Sequence, residues 1–363
     1  MSASPTASLD LVVDRSDLRR TALVPGRHSE ETALGANEVL VRVDRFALTA
    51  NNVTYGAVGD MIGYWKFFPA DGAWGRIPVW GFGDVVRSRH DGLAGGERIY
   101  GYFPMSTHVV LRADHVSPAG FVDASPHRAG LPPVYNAYTR VARDPAYDRR
   151  REAEIALFRP LFTTSFLLDD FLAENGFFDA SAVVLTSASS KTALGLAFLL
   201  AGKARVVGLT SASNASFVGR TGYYADVRGY DAVDGLPSDV ATVLVDFAGN
   251  GGLLAAVHRR LGASLRYSCR VGVTHWEKMA SPETLPGPEP VFFFAPDQAR
   301  KRIEEWGAPR FQSRVAEAMT RFLGSTAAWL RVVEGRGPEA VVAAYAATVE
   351  GRTDPAEGRV LSL

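Results

Sequence analysis

The chain has 363 residues, of which 47% are hydrophobic and 21% are charged. These proportions are those of an ordinary folded protein, and they exclude a disordered chain, a collagen-like rod and a charged low-complexity tail. Basic and acidic residues number 39 each, so no net charge draws the chain to nucleic acid or to an anionic membrane, and the length predicts two domains at about 100–200 residues each.

The first part of the chain predicts an irregular β-structure. Strand patterns occupy residues 9–25 and 38–48, where valines alternate with polar residues in the second segment. Short strands return between residues 84 and 111, separated by glycine-rich turns, which is typical of a small β-barrel or sandwich. Residues 131–160 are rich in arginine and are interpreted as a surface excursion, with a ligand-covering flap or a subunit contact as alternatives.

After residue 160, strands and helices alternate. Short apolar strands at 182–185, 205–209 and 242–247 are each followed by a helical pattern. This alternation predicts βαβ units around a parallel sheet. Two amphipathic helices, a strand-like segment, a further helix at 338–349 and a last strand at 359–363 complete the chain. The predicted class is therefore α/β, an irregular β-barrel combined with a doubly wound parallel sheet.

Neither a disulfide nor a membrane span is expected. Cys269 is the single cysteine; we interpret it as a buried apolar residue on a strand, with a reactive thiol as the alternative. The first 17 residues lack the apolar core of a signal peptide. The apolar stretch at 194–201 is well short of the ~18–20 residues that cross a bilayer. We therefore expect a cytoplasmic protein that binds neither membrane nor nucleic acid.

The loop after the first strand of the α/β part is the most informative segment. Residues 183–195 read VVLTSASSKTALG, so a buried strand leads through small residues into a helix. Free N–H groups at a helix N-terminus can bind a diphosphate. The fingerprint G-x-G-x-x-G is absent, and Gly195 alone stands where a helix packs closely on its strand. A capped helix without a ligand is the alternative. Candidate phosphate donors here are Ser187, Ser189, Ser190, Lys191 and Thr192.

Two further strand ends favour NADP as the cofactor. The second strand leads into Thr210, Ser211 and Asn214, where folds that prefer NAD usually carry an acidic residue that accepts from the ribose 2′-hydroxyl. Hydroxyl and amide donors suit a 2′-phosphate instead, and an ordinary Ser/Asn turn is the alternative. After the strand at 242–247, we expect the backbone at Gly249 to pass close to a nicotinamide ribose.

No metal site is expected from the sequence. The seven histidines form no close pair at ligand spacing, and no H-x-x-x-H or C-x-x-C occurs. His275 follows a strand pattern at 270–273 and is interpreted as structural, with a pocket-facing histidine as the alternative.

Several short segments, in chain order, resemble the medium-chain dehydrogenase/reductase superfamily. Residues 37–43 resemble the opening strand of its GroES-like catalytic domain, and residues 344–361 resemble its closing helix and strand. Residues 77–86 and 96–100 are similar to its P-G-x-E-x-x-G-x-V and G-D-R-V segments. The chain is most similar to the zinc-free quinone-oxidoreductase branch, and within it to an uncharacterised bacterial and fungal domain family.

This resemblance implies two domains with a nicotinamide between them. The GroES-like irregular β-barrel would comprise residues 1–160 and 305–363, with the surface excursion at 131–160, and the Rossmann domain would comprise residues 161–304. Zinc-dependent members carry Cys and His-Glu where this chain has Asn51 and Trp80-Gly81. A zinc-dependent mechanism is therefore disfavoured.

The resemblance also implies roles for individual residues. Asn51 and Tyr55 fall in the segment that lines the nicotinamide in zinc-free relatives, and Thr164 matches a threonine near the cofactor. Asn214 and Tyr230 fall where related reductases hold the adenosine 2′-phosphate, which strengthens the case for NADP, although Asn214 replaces the family's lysine.

We predict an NADP(H)-dependent oxidoreductase that reduces a carbonyl or an activated alkene. Tyr55 would donate a hydrogen bond and a proton to the developing anion, or would simply pack the cleft wall. Many aromatic residues nearby suggest an apolar small-molecule substrate. The alternatives are a non-redox lyase or hydratase on the same scaffold and a low-turnover NADPH-binding or sensing protein. A homodimer is compatible with the resemblance.

Overall fold

The computed structural model describes residues 8–271 and 285–363. The chain divides into two compact units: residues up to 157 join residues 332–363, and residues 158–331 form the second unit. The sequence placed this last boundary at 305, but the structure assigns residues 305–331 to the second unit. The reason is aromatic packing within that unit, where the ring of Phe322 lies 4.9 Å from that of Phe162.

The described residues form strands and helices that are numbered here in chain order. The strands are β1 (Leu9–Asp14), β2 (Thr21–Pro25), β3 (Glu38–Leu48), β4 (Trp74–Gly75), β5 (Pro78–Ser88), β6 (Arg98–Pro104), β7 (His108–Asp114), β8 (Gly120–Asp123), β9 (Ala137–Arg140), β10 (Ala182–Leu185), β11 (Arg205–Thr210), β12 (Asp226–Gly229), β13 (Thr242–Asp246), β14 (Leu265–Arg270), β15 (Val291–Phe292), β16 (Arg331–Arg336) and β17 (Glu357–Ser362). The helices are α1 (Ala50–Ala57), α2 (Gly59–Ile62), α3 (Glu152–Glu174), α4 (Lys191–Leu200), α5 (Ala212–Arg220), α6 (Gly251–Leu261), α7 (Ala295–Trp306), α8 (Ala308–Thr326) and α9 (Pro338–Val349).

The first unit is a closed β-barrel. Its strands run in the order β3-β5-β6-β9-β8-β7, and β7 pairs again with β3, so the sheet closes on itself. Gly81 on β5 faces Phe46 on β3, and a Cβ at this glycine would lie 2.1 Å from the carbonyl oxygen of Arg45. Only glycine permits so close an approach of the two strands.

Residues 131–160 are only partly the surface excursion that the sequence suggests. Residues 137–140 form the barrel strand β9, and α3 begins at Glu152. The aromatic residues explain the difference, because Tyr138 is 1% exposed and its ring stacks on that of Phe121 at 5.2 Å. The segment therefore contributes to the barrel core.

An arginine-centred network links the barrel to the start of α3. The guanidinium of Arg98 donates to both carboxylate oxygens of Glu152 at 2.7 and 2.8 Å, and also to Asp84 and Asp44. Burial raises the pKa of Glu152, but hydrogen bonds from Arg98 and Tyr147 and the nearby arginine charges outweigh it. The pKa of Glu152 is therefore lowered overall, and the ionised carboxylate stabilises the fold.

The Glu152→Gln variant is expected to be less stable at pH 7 by about 1.5–3 kcal/mol, the contribution of a charged hydrogen bond. Because the folded-state pKa is lowered, this stabilisation is complete above the unfolded pKa of 4.5 and is lost as the pH falls through the folded value. Urea denaturation at a series of pH values measures this. The variant should lose less stability on acidification than the wild type does, and Glu154→Gln, on the same helical turn, is the control. Parallel pH profiles for Glu152→Gln and the wild type would contradict the assignment.

The second unit is a six-stranded parallel sheet. The strand order is β12-β11-β10-β13-β14-β15, and every adjacent pair is parallel. The central strands are apolar because both faces of the sheet are buried, and all four residues of β10 are buried. This is the strand order of a doubly wound Rossmann sheet, as predicted. In the part of the chain that the structure describes, no helix is both long and apolar enough to cross a membrane.

Candidate functional site

The loop that joins β10 to α4 turns sharply at Ser187. The backbone of Ser187 has a φ of 49°, in the left-handed region that non-glycine residues rarely adopt. Its carbonyl accepts from the N–H of Ser190 at 2.7 Å. Ser190 then caps α4, because its hydroxyl accepts from the N–H of Ala193 at 3.3 Å.

Five of the predicted binding residues lie together around this loop. The hydroxyl of Ser189 accepts from the amide of Asn214 at 3.1 Å and from the hydroxyl of Thr210 at 3.4 Å. The Tyr230 phenol is hydrogen-bonded to the side chain and the backbone of Ser187. Burial raises the pKa of Tyr230 by more than these two hydrogen bonds lower it. These five residues, which we call the polar cluster, are linked by hydrogen bonds between uncharged donors and acceptors.

Two other predicted residues have their hydrogen bonds elsewhere. The hydroxyl of Thr164 donates to the carbonyl of Pro160 within α3, at 3.3 Å. The hydroxyl of Ser211 shares a hydrogen bond with that of Ser213 at 2.9 Å, on the first turn of α5. Neither side chain is hydrogen-bonded to the polar cluster.

The start of α4 packs closely against α3. Lys191 is the first residue of α4, and the carbonyl of Thr192 accepts from the hydroxyl of Ser165 at 2.7 Å. A Cβ at Gly195 would lie 2.8 Å from that same hydroxyl oxygen. The sequence predicted that Gly195 allows close packing on its strand; this was wrong, because its nearest neighbours belong to α3.

A buried threonine and a buried aspartate join two loops at the carboxyl edge of the sheet. The Thr186 hydroxyl donates to Oδ1 of Asp246 at 2.6 Å and accepts from the N–H groups of Phe247 and Ala248 at 2.9 and 3.0 Å. The same Oδ1 accepts from the N–H groups of Ala248 and Gly249 at 3.1 and 3.3 Å. Gly249 has a φ of 64°, which glycine adopts easily. Burial raises the pKa of Asp246, against the lowering by these hydrogen bonds.

Sequence reasoning assigned no role to Thr186 or Asp246. Thr186 directly follows the buried strand β10, and Asp246 is the last residue of the buried strand β13. Because the carboxyl ends of neighbouring parallel strands meet at one edge of the sheet, that position is the signal that could have found them.

A cavity opens at the same edge of the sheet. Its volume is about 300 Å³. One wall is the start of α6, where the Asn250 side chain caps the helix by accepting from the N–H of Leu253 at 3.1 Å. The lining combines an aromatic ring, small residues and one aliphatic side chain, a composition typical of small-molecule sites. The lining residues are Tyr230, Ala248, Asn250, Gly252, Leu253 and Ala256.

In the barrel unit, Tyr55 lies on α1 and is 6% exposed. Its phenol oxygen accepts from the indole N–H of Trp80 at 3.3 Å, and the side chain of Asn51 is hydrogen-bonded to the same phenol. Burial raises the pKa of Tyr55 well above its ordinary value, although the Trp80 and Asn51 hydrogen bonds oppose this. The phenol is therefore protonated at neutral pH and is able to donate a hydrogen bond.

Tyr55 belongs to a set of four tyrosines that we call the phenol cluster: Tyr55, Tyr64, Tyr102 and Tyr135. The ring of Tyr55 lies 4.6 Å from that of Tyr64 and 5.7 Å from that of Tyr102. Tyr102 and Tyr135 have ring centroids 4.9 Å apart. The hydroxyls of Tyr64 and Tyr135 are hydrogen-bonded to each other at 2.9 Å. The cluster is a set of closely packed aromatic rings that carries four phenol hydroxyls.

The described residues present neither a cluster of metal ligands nor an ionised thiol. Across residues 8–271 and 285–363, no group of three or more His, Cys, Asp or Glu side chains could hold a metal ion. Asn51, Trp80 and Gly81 offer no thiolate, imidazole or carboxylate. Cys269 is buried in β14, and burial with the nearby Asp246 charge raises its pKa to about 12, so the thiol stays protonated. His275 and positions 272–273 of the predicted strand lie outside the described residues.

A family model described as "Protein of unknown function (DUF2855)" matches residues 46–354. The chain belongs to this family. The sequence had indicated an uncharacterised domain family, and this is confirmed for the DUF2855 chain. A search of curated protein sequences finds no match.

Solved structures share the fold of the DUF2855 chain at low sequence identity. CurA from Vibrio vulnificus in complex with NADPH superposes with a TM-score of 0.58 at 15% identity, over 98% of each chain. The CurK enoyl reductase gives 0.57 at 14% identity, over 98% of this chain and 99% of the other. An Etr1p mutant in complex with NADP and crotonyl-CoA gives 0.57 at 9% identity, over 99% and 100%. The predicted fold, a GroES-like barrel with a Rossmann sheet, is confirmed.

Proposed function

We propose that the DUF2855 chain is an NADP(H)-dependent oxidoreductase that reduces a carbonyl or an activated alkene of an apolar small molecule in the cytoplasm, without zinc. The observation that carries the proposal is the cavity of about 300 Å³ beside the polar cluster, at the carboxyl edge of the Rossmann sheet. Ligands of doubly wound sheets bind at this edge. CurA and Etr1p, which share the fold, have structures with NADPH and NADP.

The residues at this edge fit NADP. The N–H of Ser189 lies in a loop that leads into the N-terminus of α4, where N–H donors and the helix dipole favour a phosphate. Beside it, Thr210 and Asn214 are neutral donors. A 2′-phosphate would therefore meet donors where an NAD-preferring fold presents a carboxylate. Tyr230 and Leu253 give the cavity aromatic and aliphatic walls suited to adenine.

We assign the proton-donating role to Tyr55. NADPH, when bound, supplies a hydride. Tyr55 would donate its hydrogen bond to the substrate oxygen on which negative charge develops, and then its proton. Trp80, which donates to the phenol oxygen, and Asn51, which is hydrogen-bonded to the same phenol, orient it. Met61 lies close in sequence to Tyr64, and Val134 directly precedes Tyr135; they are 71% and 45% exposed. Exposed apolar side chains of this kind suit an apolar substrate.

One observation favours the low-turnover NADPH-binding protein as a second candidate. The ring of Tyr135, from the segment 131–160, lies against Tyr102 at 4.9 Å and against Tyr55 at 6.3 Å. A residue of that segment thus occupies the aromatic volume where a substrate would bind. The two candidates differ in whether NADPH is consumed.

The function is tested in two steps. Calorimetry with NADPH and NADH measures binding, and the NADPH absorbance band is then followed with a panel of aldehydes, ketones and enones. An oxidoreductase binds NADPH and consumes it with at least one class of substrate. NADPH binding without consumption would favour the second candidate, whereas no binding of either coenzyme would exclude both.

The Asn214→Asp variant is expected to bind NADPH at least about tenfold more weakly, because a carboxylate beside Ser189 repels a 2′-phosphate. NADH, which lacks that phosphate, should bind the variant as it binds the wild type. Calorimetry with both coenzymes measures the ratio, and Asn214→Ser is the neutral control. An equal loss for NADPH and NADH would place the 2′-phosphate away from Asn214.

A further inference from the structure

The hydroxyl of Tyr102 is a buried polar group without a partner. Tyr102 lies on β6, its residue is 0% exposed, and its hydroxyl has no hydrogen-bond partner among the described residues. Its backbone, in contrast, is fixed, because the hydroxyl of Tyr138 donates to its carbonyl oxygen. Buried polar groups in native proteins are nearly always bonded, so an exception calls for an explanation.

The surroundings of this hydroxyl are aromatic. The Tyr102 ring lies 4.9 Å from that of Trp80, 5.3 Å from that of Phe67 and 5.7 Å from that of Tyr55. Burial raises the pKa of Tyr102 well above its ordinary value, so the phenol remains protonated and is a hydrogen-bond donor. Such a donor, in an apolar setting, suits a neutral oxygen acceptor on a mostly apolar molecule.

Tyr135 is the one member of the phenol cluster that is not buried. It ends a short 3-10 turn, Pro133–Tyr135, and it is partly exposed whereas Tyr102 is fully buried. Its hydroxyl has one hydrogen bond, to Tyr64. Its ring packs against those of Tyr102 and Tyr55, and also against those of Phe67 and Trp80. Displacement of the Tyr135 ring would free space beside the phenols of Tyr102 and Tyr55.

We propose that the Tyr102 hydroxyl is a second donor to the carbonyl oxygen of the substrate, which binds in the space that the Tyr135 ring now occupies. The proposal rests on the proposed function, and it adds a substrate-binding residue and a place for the oxygen. Tyr55 and Tyr102 together supply two hydrogen bonds, as an oxygen with two lone pairs accepts. A substrate without such an oxygen would leave Tyr102 unpaired, so Tyr102 selects carbonyl compounds over plain alkenes.

Binding of cyclohex-2-enone to the full chain without coenzyme tests this proposal. Tyr135→Ala should bind the enone at least about tenfold more tightly than the wild type. Tyr102→Phe in the Tyr135→Ala background should remove most of that gain, because an apolar ring offers no hydrogen bond. Cyclohexene, which lacks the oxygen, should bind both variants equally. Equal enone affinity with and without the Tyr102 hydroxyl would overturn the proposal. Since no NADPH is present, the result is independent of whether hydride transfer occurs.

Thermal stability provides a second test that needs no ligand. Tyr102→Phe should melt at the wild-type temperature or above it, because a hydroxyl without a partner is removed. Tyr138→Phe is the matched control on the neighbouring strand: its hydroxyl is bonded to the Tyr102 carbonyl and to Arg128, so this variant should melt lower. If Tyr102→Phe melts as low as Tyr138→Phe does, its hydroxyl is already satisfied, and the proposal fails. Tyr135→Leu replaces Tyr135→Ala if the alanine variant does not fold.

Discussion

Replacing Asp123 by alanine is expected to destabilise the barrel unit by about 3–5 kcal/mol, as the loss of one partner of a buried ion pair does. Asp123 and Arg128 have side chains 1% exposed, and Oδ2 lies 2.9 Å from the Arg128 Nε. The other carboxylate oxygen accepts from the N–H groups of Arg112 and Ser125 and from the Ser125 hydroxyl. Alanine would leave a buried guanidinium without its counter-charge, and urea denaturation measures the loss.

Two controls separate this charge effect from simple truncation. Adding Arg128→Met to Asp123→Ala should restore part of the stability, because no unpaired charge is then buried. Arg20→Ala removes the partner of Asp14, but Arg20 is 67% exposed, so the loss should stay within about 1 kcal/mol. A loss from Asp123→Ala no larger than that from Arg20→Ala would show that the buried pair contributes little.

Replacing Tyr55 by phenylalanine is expected to lower kcat for enone reduction by about 10²–10⁴-fold, the usual contribution of a positioned general acid. The affinity for NADPH should not change, because the polar cluster that we assign to the coenzyme lies in the second unit, whereas Tyr55 lies in the first. Stopped-flow or steady-state NADPH oxidation gives kcat, and calorimetry gives the affinity.

The matched control for Tyr55 is Tyr147→Phe in the same unit. Tyr147 donates its hydroxyl to Glu152 at 2.6 Å, outside the phenol cluster, so its loss should leave kcat unchanged. A Tyr55→Phe variant that turns over as the wild type does would remove Tyr55 from the mechanism and leave it an aromatic packing residue.

Elements with a strong local signal were predictable. The helix predicted at 338–349 is α9, with the same limits, because Pro338 at its first turn follows a glycine with positive φ. Helix α1 was missed, since Asn51, Asn52 and Gly56 are poor helix formers. It forms through a local cap and a tertiary contact: the Asn52 side chain accepts from the Thr49 N–H at 2.8 Å and donates to the Pro78 carbonyl at 3.0 Å.

The candidate site was predictable as a set of donors but not as a network. Small hydroxyl residues after a buried strand marked Ser187 and Ser189. That Ser189 accepts from Asn214, and that Ser187 is hydrogen-bonded to Tyr230, depends on which strands are neighbours. The orphan hydroxyl of Tyr102 is likewise invisible in the sequence, because only the packed structure shows which buried phenol lacks a partner.

The shared carboxylate of Asp246 has a mechanical consequence. The amides of Phe247, Ala248 and Gly249 lie beyond the last residue of β13, yet they are bonded to Thr186 and Asp246 as firmly as strand amides are bonded to each other. Opening this loop would break four hydrogen bonds and leave three desolvated N–H donors unpaired at once, so these amide hydrogens should exchange with solvent as slowly as those of the sheet. We therefore expect Ala248, which lines the cavity, to stay in place when a ligand binds.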